Sequence, residues 1–185
     1  MSTYSIPQPT AGDIVDLITG DHRLLEDLMR AMRDEGADRA AARVAFADLL
    51  VAHSEAEEEH VYPRLKSKKV IDGEEEEHGE EEHAATNEAL LTLLRIERTD
   101  SQEFEDALEA VAEVLNHHIG EEELSILNPA REEASEELRH ELGSAWLTQR
   151  NELLESARGA LDHVAAIVER AYADDLLPND EQPEG

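Results

Sequence analysis

The sequence predicts an all-α protein, an up-down-up-down four-helix bundle with an additional long C-terminal helix. Three observations predict it. Ala, Leu, Glu and Arg, all strong helix formers, abound, and few stretches alternate with period two. Apolar residues recur at spacings of three and four through four successive segments, each about 25 residues long. Short turn-rich connections between those segments make neighbours antiparallel.

After a leader punctuated by Pro7 and Pro9, the first helix is expected from about Thr10 to Glu35. Ile14, Leu17, Ile18, Leu24, Leu25, Leu28 and Met32 trace one face, and Gly36 ends it. The second runs from about Asp38 to Leu65, with Val44, Leu49, Leu50 and Val61 in its stripe and Pro63 near its end. Ile71-Asp72-Gly73 reads as a turn, and the third helix begins in the acidic run at Glu74. Its apolar face appears at Leu90, Leu91, Leu93, Leu94 and Ile96. Thr99-Asp100-Ser101 supplies a turn and N-cap, with Glu103 in the first turn of the fourth helix. That helix carries Leu108, Val111, Val114, Leu115, Ile119, Ile126 and Leu127 and is expected to end near Asn128-Pro129.

From Glu132 to Asp174 the apolar spacing resumes through Leu138, Leu142, Trp146, Leu153, Leu161, Val164 and Val168. This reads as one long or broken helix, docked along the bundle or against another subunit, and so suggests a homo-oligomer formed through it. The expected domains are a bundle over 11–131, a C-terminal helical extension over 132–176 and a flexible acidic tail over 177–185.

A formal net charge of -30 repels nucleic-acid phosphates and anionic headgroups, so neither nucleic acid nor membrane is an expected partner. With no Cys, thiolate sites, disulfides and cysteine nucleophiles are excluded. No segment approaches the roughly 20 apolar residues of a membrane span. Met1 to Ala11 lacks the basic start and apolar run of a signal peptide, and a soluble cytoplasmic protein is expected.

The chemistry lies in the histidines. His22, His53, His83 and His118 fall one to a helix, at intervals of 31, 30 and 35 residues. Near-even spacing of this size brings the four side chains to a similar level in an up-down bundle. Glu57 follows His53 by four residues and Glu122 follows His118 by four, which places each pair on one helical face with Cβ atoms roughly 5–6 Å apart. Imidazole with carboxylate suits iron, manganese or zinc. One such pair arises readily by chance in an acid-rich helix; two pairs with two single histidines on the intervening helices form a far more specific pattern.

In the segments Asp21-His22-Arg23-Leu24-Leu25, His53-Ser54-Glu55-Ala56-Glu57-Glu58-Glu59 with Val61-Tyr62-Pro63, Glu82-His83, and His118-Ile119-Gly120-Glu121-Glu122-Glu123, the chain resembles the hemerythrin-like (HHE cation-binding) domains. The likeness is to bacterial members with the order H…HxxxE…H…HxxxE, over roughly residues 12 to 130. It implies two iron ions, oxo- or hydroxo-bridged, with Glu57 and Glu122 bridging and His22, His53, His83 and His118 as terminal ligands. Open coordination positions would then bind, sense or react with dioxygen, peroxide or nitric oxide, with a peroxide- or nitric-oxide-consuming enzyme as one form of that function and oxidative stress as its setting. Asn87 stands where oxygen carriers have a second histidine in the third helix, which argues against oxygen carriage.

Alternatives stay open in the residues themselves. His117, five before Glu122, competes with His118. His60 can share the face of His53 and Glu57, as a ligand, a neighbour of one, or a surface residue. His78, His140 and His163 read as exposed, and the Glu74–Glu82 run as a solvated helix start. Glu57-x-x-His60 and Glu80-x-x-His83 imitate half of a ferritin-like site, but Val114 and Leu115 stand where the fourth helix would need its glutamate. Iron buffering or storage, and a metal-free acidic interaction module with Trp146 on its partner surface, are the competing functions.

Overall fold

A computed structural model describes residues 4–178. Helices α1 (Ile14–Arg33), α2 (Arg39–Ala56), α3 (Tyr62–Ser67), α4 (Gly73–Arg95), α5 (Gln102–Glu122) and α6 (Asn128–Glu133) form the bundle; α7 (Glu136–Glu155) and α8 (Leu161–Ala173) follow. Asp13, Asp38, Asp72, Ser101 and Ser135 start α1, α2, α4, α5 and α7, each accepting a hydrogen bond from a backbone N–H of the first turn. At Asp72 the Glu75 side chain returns the bond to the cap backbone, completing a capping box.

Turns of π-helix, Glu57–Val61 and Glu123–Leu127, join α2 to α3 and α5 to α6. Each opens six residues before a proline, Pro63 or Pro129. A proline within an α-helix lacks its N–H and collides with the carbonyl one turn back; the wider turn relieves both conflicts. The fourth helix therefore does not stop at Asn128-Pro129, as expected from sequence, but continues to Glu133.

The packing orders the helices as a ring: α1 on α2, α2 on α4, α4 on α5 and α5 on α1. One apolar cluster draws on Leu25 to Met32 of α1, Ala42 to Val51 of α2, Ala84 to Leu93 of α4 and Phe104 to Ile119 of α5. A second draws on Ile14 to Ile18, Ala56 to Leu65, and Ile126 to Ala130. The first cluster thus takes the C-terminal half of α1 and the N-terminal part of α2, as antiparallel neighbours require. Between the clusters lie His22, His53, His83 and His118. Val44, expected in the apolar stripe, instead points outward.

The C-terminal segment is two helices, both docked on the bundle: α7 against α1 and α2, α8 against α4. Ala157 takes a left-handed conformation with φ 50° in the turn between them. Gly159 there donates its N–H to Asp48 Oδ1 at 2.8 Å, and its backbone lies so close to α2 that a Cβ would stand 2.3 Å from Ala47 C and Asp48 N. Gly159→Ala is expected to lower stability by about 1–3 kcal/mol through overpacking, read as a lower urea midpoint at unchanged slope. Trp146 is 1% exposed, so the sequence hint of a partner surface on this segment turns inward. Leu177, placed by sequence in the flexible tail, is buried in the first cluster; positions 179–185 of that tail lie outside the described residues.

Candidate metal centre

Helix α1 contributes His22, α2 His53, the first π-turn Glu57, α4 His83, and α5 both His118 and Glu122; none is more than 2% exposed. Their polar atoms converge. His53 Nε2 lies 3.1 Å from Glu57 Oε1, and His83 Nε2 lies 3.3 Å from Glu57 Oε2. His22 Nε2 and His118 Nε2 lie 3.0 and 3.8 Å from Glu122 Oε2. The rings pair edge-on, with centroids 5.2 Å apart for His22 and His53 and 4.6 Å for His83 and His118.

Among the described residues, His22, His53, Glu57 and Glu122 form one group of ligand atoms mutually within 4.8 Å, and Glu57, His83 and His118 form another. Glu57 belongs to both groups. Close as they are, His22 Nε2, His53 Nε2, His118 Nε2, both Glu57 oxygens and Glu122 Oε2 are buried without an aligned hydrogen-bond partner. A folded interior rarely leaves polar atoms in that state without a further group to satisfy them. Neutral imidazole nitrogens and carboxylate oxygens aimed at common points fit first-row transition metals.

Three of the outer nitrogens are hydrogen-bonded to carboxylates, and the fourth, His53 Nδ1, faces one without an aligned hydrogen bond. His22 Nδ1 meets Glu123 Oε1 at 3.0 Å, His83 Nδ1 meets Glu58 Oε1 at 2.8 Å, His118 Nδ1 meets Glu82 Oε2 at 3.1 Å, and His53 Nδ1 stands 3.4 Å from Asp21 Oδ2. A carboxylate at Nδ1 fixes the tautomer that leaves Nε2 free, orients the ring and raises its basicity. None of these four carboxylates was identifiable by spacing. Glu82 belongs to the acidic run expected to be solvated, yet it reaches inward to His118.

Tyr62 was also missed as a site residue. Its hydroxyl donates to Glu122 Oε1 at 2.8 Å, and its ring stacks on His83 with centroids 5.7 Å apart. Burial and the nearby Glu122 and Glu57 carboxylates push its pKa well above 10, so the phenol keeps its proton and donates. The available signal was Gly79, a glycine inside a helix: a Cβ there would meet the Tyr62 ring at 2.9 Å.

Of the two adjacent histidines, His118 is buried at the centre, whereas His117 is exposed and meets Glu82 from outside. His60 turns away to Gln149 Oε1 at 3.1 Å. His78 and His140 are exposed as expected; His163 is half-buried and lies 3.4 Å from Glu55.

Without metal, two of the histidines hold protons more tightly than a free imidazole does. Burial lowers the His22 pKa, but Glu122, Glu57 and Glu123 outweigh it and raise it to about 9. Burial likewise opposes charge on His83, while Glu57 and Glu58 raise it to about 10. His118 is held below its usual value by burial and by the charge on His83. Burial works against the Glu122 carboxylate, yet His22, His118 and His53 hold its pKa well below the usual range.

Both raised histidines bind more protons folded than unfolded between about pH 6.5 and pH 10. Their contribution to the metal-free protein is full below about pH 6.5 and is lost as pH rises through 9 to 10. Metal must displace those protons, so loading near pH 7.5 is expected to release about two per chain. Calorimetric titration in buffers of different ionisation enthalpy measures the number; a value near zero would contradict this account.

The family described as "Hemerythrin HHE cation binding domain" matches residues 13–130. An all-helical bundle with a buried histidine–carboxylate centre defines the class, a helical cation-binding protein. The chain belongs to the hemerythrin HHE cation-binding domain family. No match was found among curated proteins or among solved structures. No helix among the described residues is long and apolar enough to cross a membrane.

Proposed function

We propose that this protein holds two iron ions, one at His22, His53, Glu57 and Glu122 and one at Glu57, His83 and His118, and that it binds, senses or reacts with dioxygen, peroxide or nitric oxide there. The observation that carries the reading is the convergence of orphaned buried Nε2 and carboxylate atoms on two adjoining points that share Glu57. Iron so bound supplies one-electron redox chemistry and Lewis-acidic positions for small ligands.

The chain's own residues do the rest. Glu57 turns one oxygen toward each point, as a bridging carboxylate would. Tyr62 holds Glu122 by one oxygen and keeps a proton at the centre, where it can be donated to a bound anion. Apolar clusters on either side keep bulk water out. A cleft of about 530 Å³ between α2, α4 and α8, lined by Ser54, Glu58, Ala84 and Asn87, reaches the outer side of His83 through Glu58 and offers a small ligand an approach.

Ligand atoms converge in no other group among the described residues, which favours a fixed stoichiometry over storage. The test is a visible spectrum with metal analysis, followed by stopped-flow mixing with peroxide and with nitric oxide. About two irons per chain and a spectral change on mixing are expected. A metal-free protein would end the metal reading; a loaded but unreactive centre would end the functional one.

A further inference from the structure

Helix α7 lies beyond residues 13–130, yet it closes the environment of one histidine. Trp146 and Arg150, four residues apart on one face of α7, are each 1% exposed. Arg150 grips Asp21 with both arms of its fork, Nε to Oδ2 at 2.6 Å and Nη2 to Oδ1 at 2.7 Å. Its remaining nitrogen, Nη1, donates to Pro7 O at 3.1 Å and Asn151 Oδ1 at 3.0 Å. Asp21 Oδ2 in turn faces His53 Nδ1 at 3.4 Å, and the Trp146 ring meets the His53 ring edge-on, with centroids 5.8 Å apart and planes at 85°.

The other three histidines are served differently. Glu123, Glu58 and Glu82 come from the bundle helices and their π-turns, each retains some exposure, and none has an arginine partner among the described residues, although Glu82 also faces His78 and His117. A carboxylate shared with a guanidinium is a weaker acceptor for an imidazole N–H than one without a cation. It is also more tightly oriented, because a bidentate fork fixes its plane. His53 is therefore the histidine whose partner carboxylate is itself fixed by a guanidinium, and its Nδ1 faces that carboxylate at 3.4 Å without an aligned hydrogen bond.

We propose that Arg150 and Trp146 are positioning residues for His53, so that helix α7 is part of the metal centre and makes the His22–His53 position inequivalent to the His83–His118 position. This rests on the metal reading above. Arg150 acts on His53 through Asp21, and Trp146 through ring contact. The consequence is a centre whose two metals differ in how fast they leave.

The test uses the full chain loaded anaerobically with cobalt(II), followed by release to a chelator and by thermal midpoints with and without metal. Because Arg150→Met alone strands the Asp21 charge, the informative variant is the double substitution Asp21→Asn with Arg150→Met; Trp146→Phe is its companion. Wild type is expected to release metal in two phases. The variants are expected to accelerate one phase about 10–100-fold and leave the other within about two-fold, with a smaller metal-induced rise in midpoint. Equal losses of midpoint with and without metal, at unchanged release rates, would show a merely structural role and overturn the proposal, as would equal acceleration of both phases. A wild type that takes up no cobalt would instead overturn the metal reading itself.

Discussion

Replacing Glu57 by Gln is expected to empty both metal positions at once. Glu57 is the one residue in both ligand groups, with one oxygen toward His53 and the other toward His83. The amide keeps the size but removes the charge, and it turns an N–H₂ toward one of the two points. With both metals lost, so is the stabilisation that metal gives the folded state, about 4 kcal/mol for a site filled at a thousand times its dissociation constant. Metal analysis and the thermal midpoint with added iron measure the two effects together. His118→Ala should behave similarly and His117→Ala should not, because the first side chain is buried at the centre and the second is exposed. Full metal content in Glu57→Gln would remove the shared-carboxylate arrangement from consideration.

Arg150→Met carries the next largest expected effect. The pair it breaks is almost wholly buried, with Asp21 at 4% and Arg150 at 1% exposure. Burial raises the Asp21 pKa, but His53 and Arg150 more than reverse this and hold it below its usual value. Removing the guanidinium leaves that carboxylate in the core with only the His53 contact, a loss of about 3–5 kcal/mol. Chemical denaturation of the metal-free protein should show it, and adding Asp21→Asn should recover most of the loss, because the orphaned charge disappears with its partner. An unchanged denaturation midpoint in the single variant would mean that the pair contributes nothing to stability.

Much of the centre could be read before any coordinates. His53 with Glu57 and His118 with Glu122 are visible because a helix repeats every 3.6 residues, so a separation of four is a shared face wherever the helix lies. His22 and His83 became visible through even spacing and short connections. The N-cap at Ser101 and the turn at Asp72 were legible for the same local reason.

Other elements were hidden. Asp21, Glu58, Glu82 and Glu123 each adjoin a site residue in sequence, but among 46 acidic residues nothing local says that they turn inward or which ring each one backs. The end of the fourth helix was misplaced because Pro129 is normally a stop, and a π-turn cancels the conflict. Trp146 looked like a surface aromatic only while the position of α7 was unknown.

By itself, then, the sequence determined the four bundle helices, most of the faces they turn inward, and five of the side chains that converge between two apolar clusters, His22, His53, Glu57, His83 and Glu122. These follow from short-range periodicity and from the cost of leaving apolar residues in water. Only the tertiary structure decided which of two adjacent histidines is central, which carboxylates back the four rings, and that Tyr62, Trp146 and Arg150 press on the centre. Those choices depend on the angular setting of one helix against another and on long-range contacts such as that from Asp21 to Arg150, 129 residues apart in the chain. No local pattern encodes such contacts, because packing the whole bundle is what selects them.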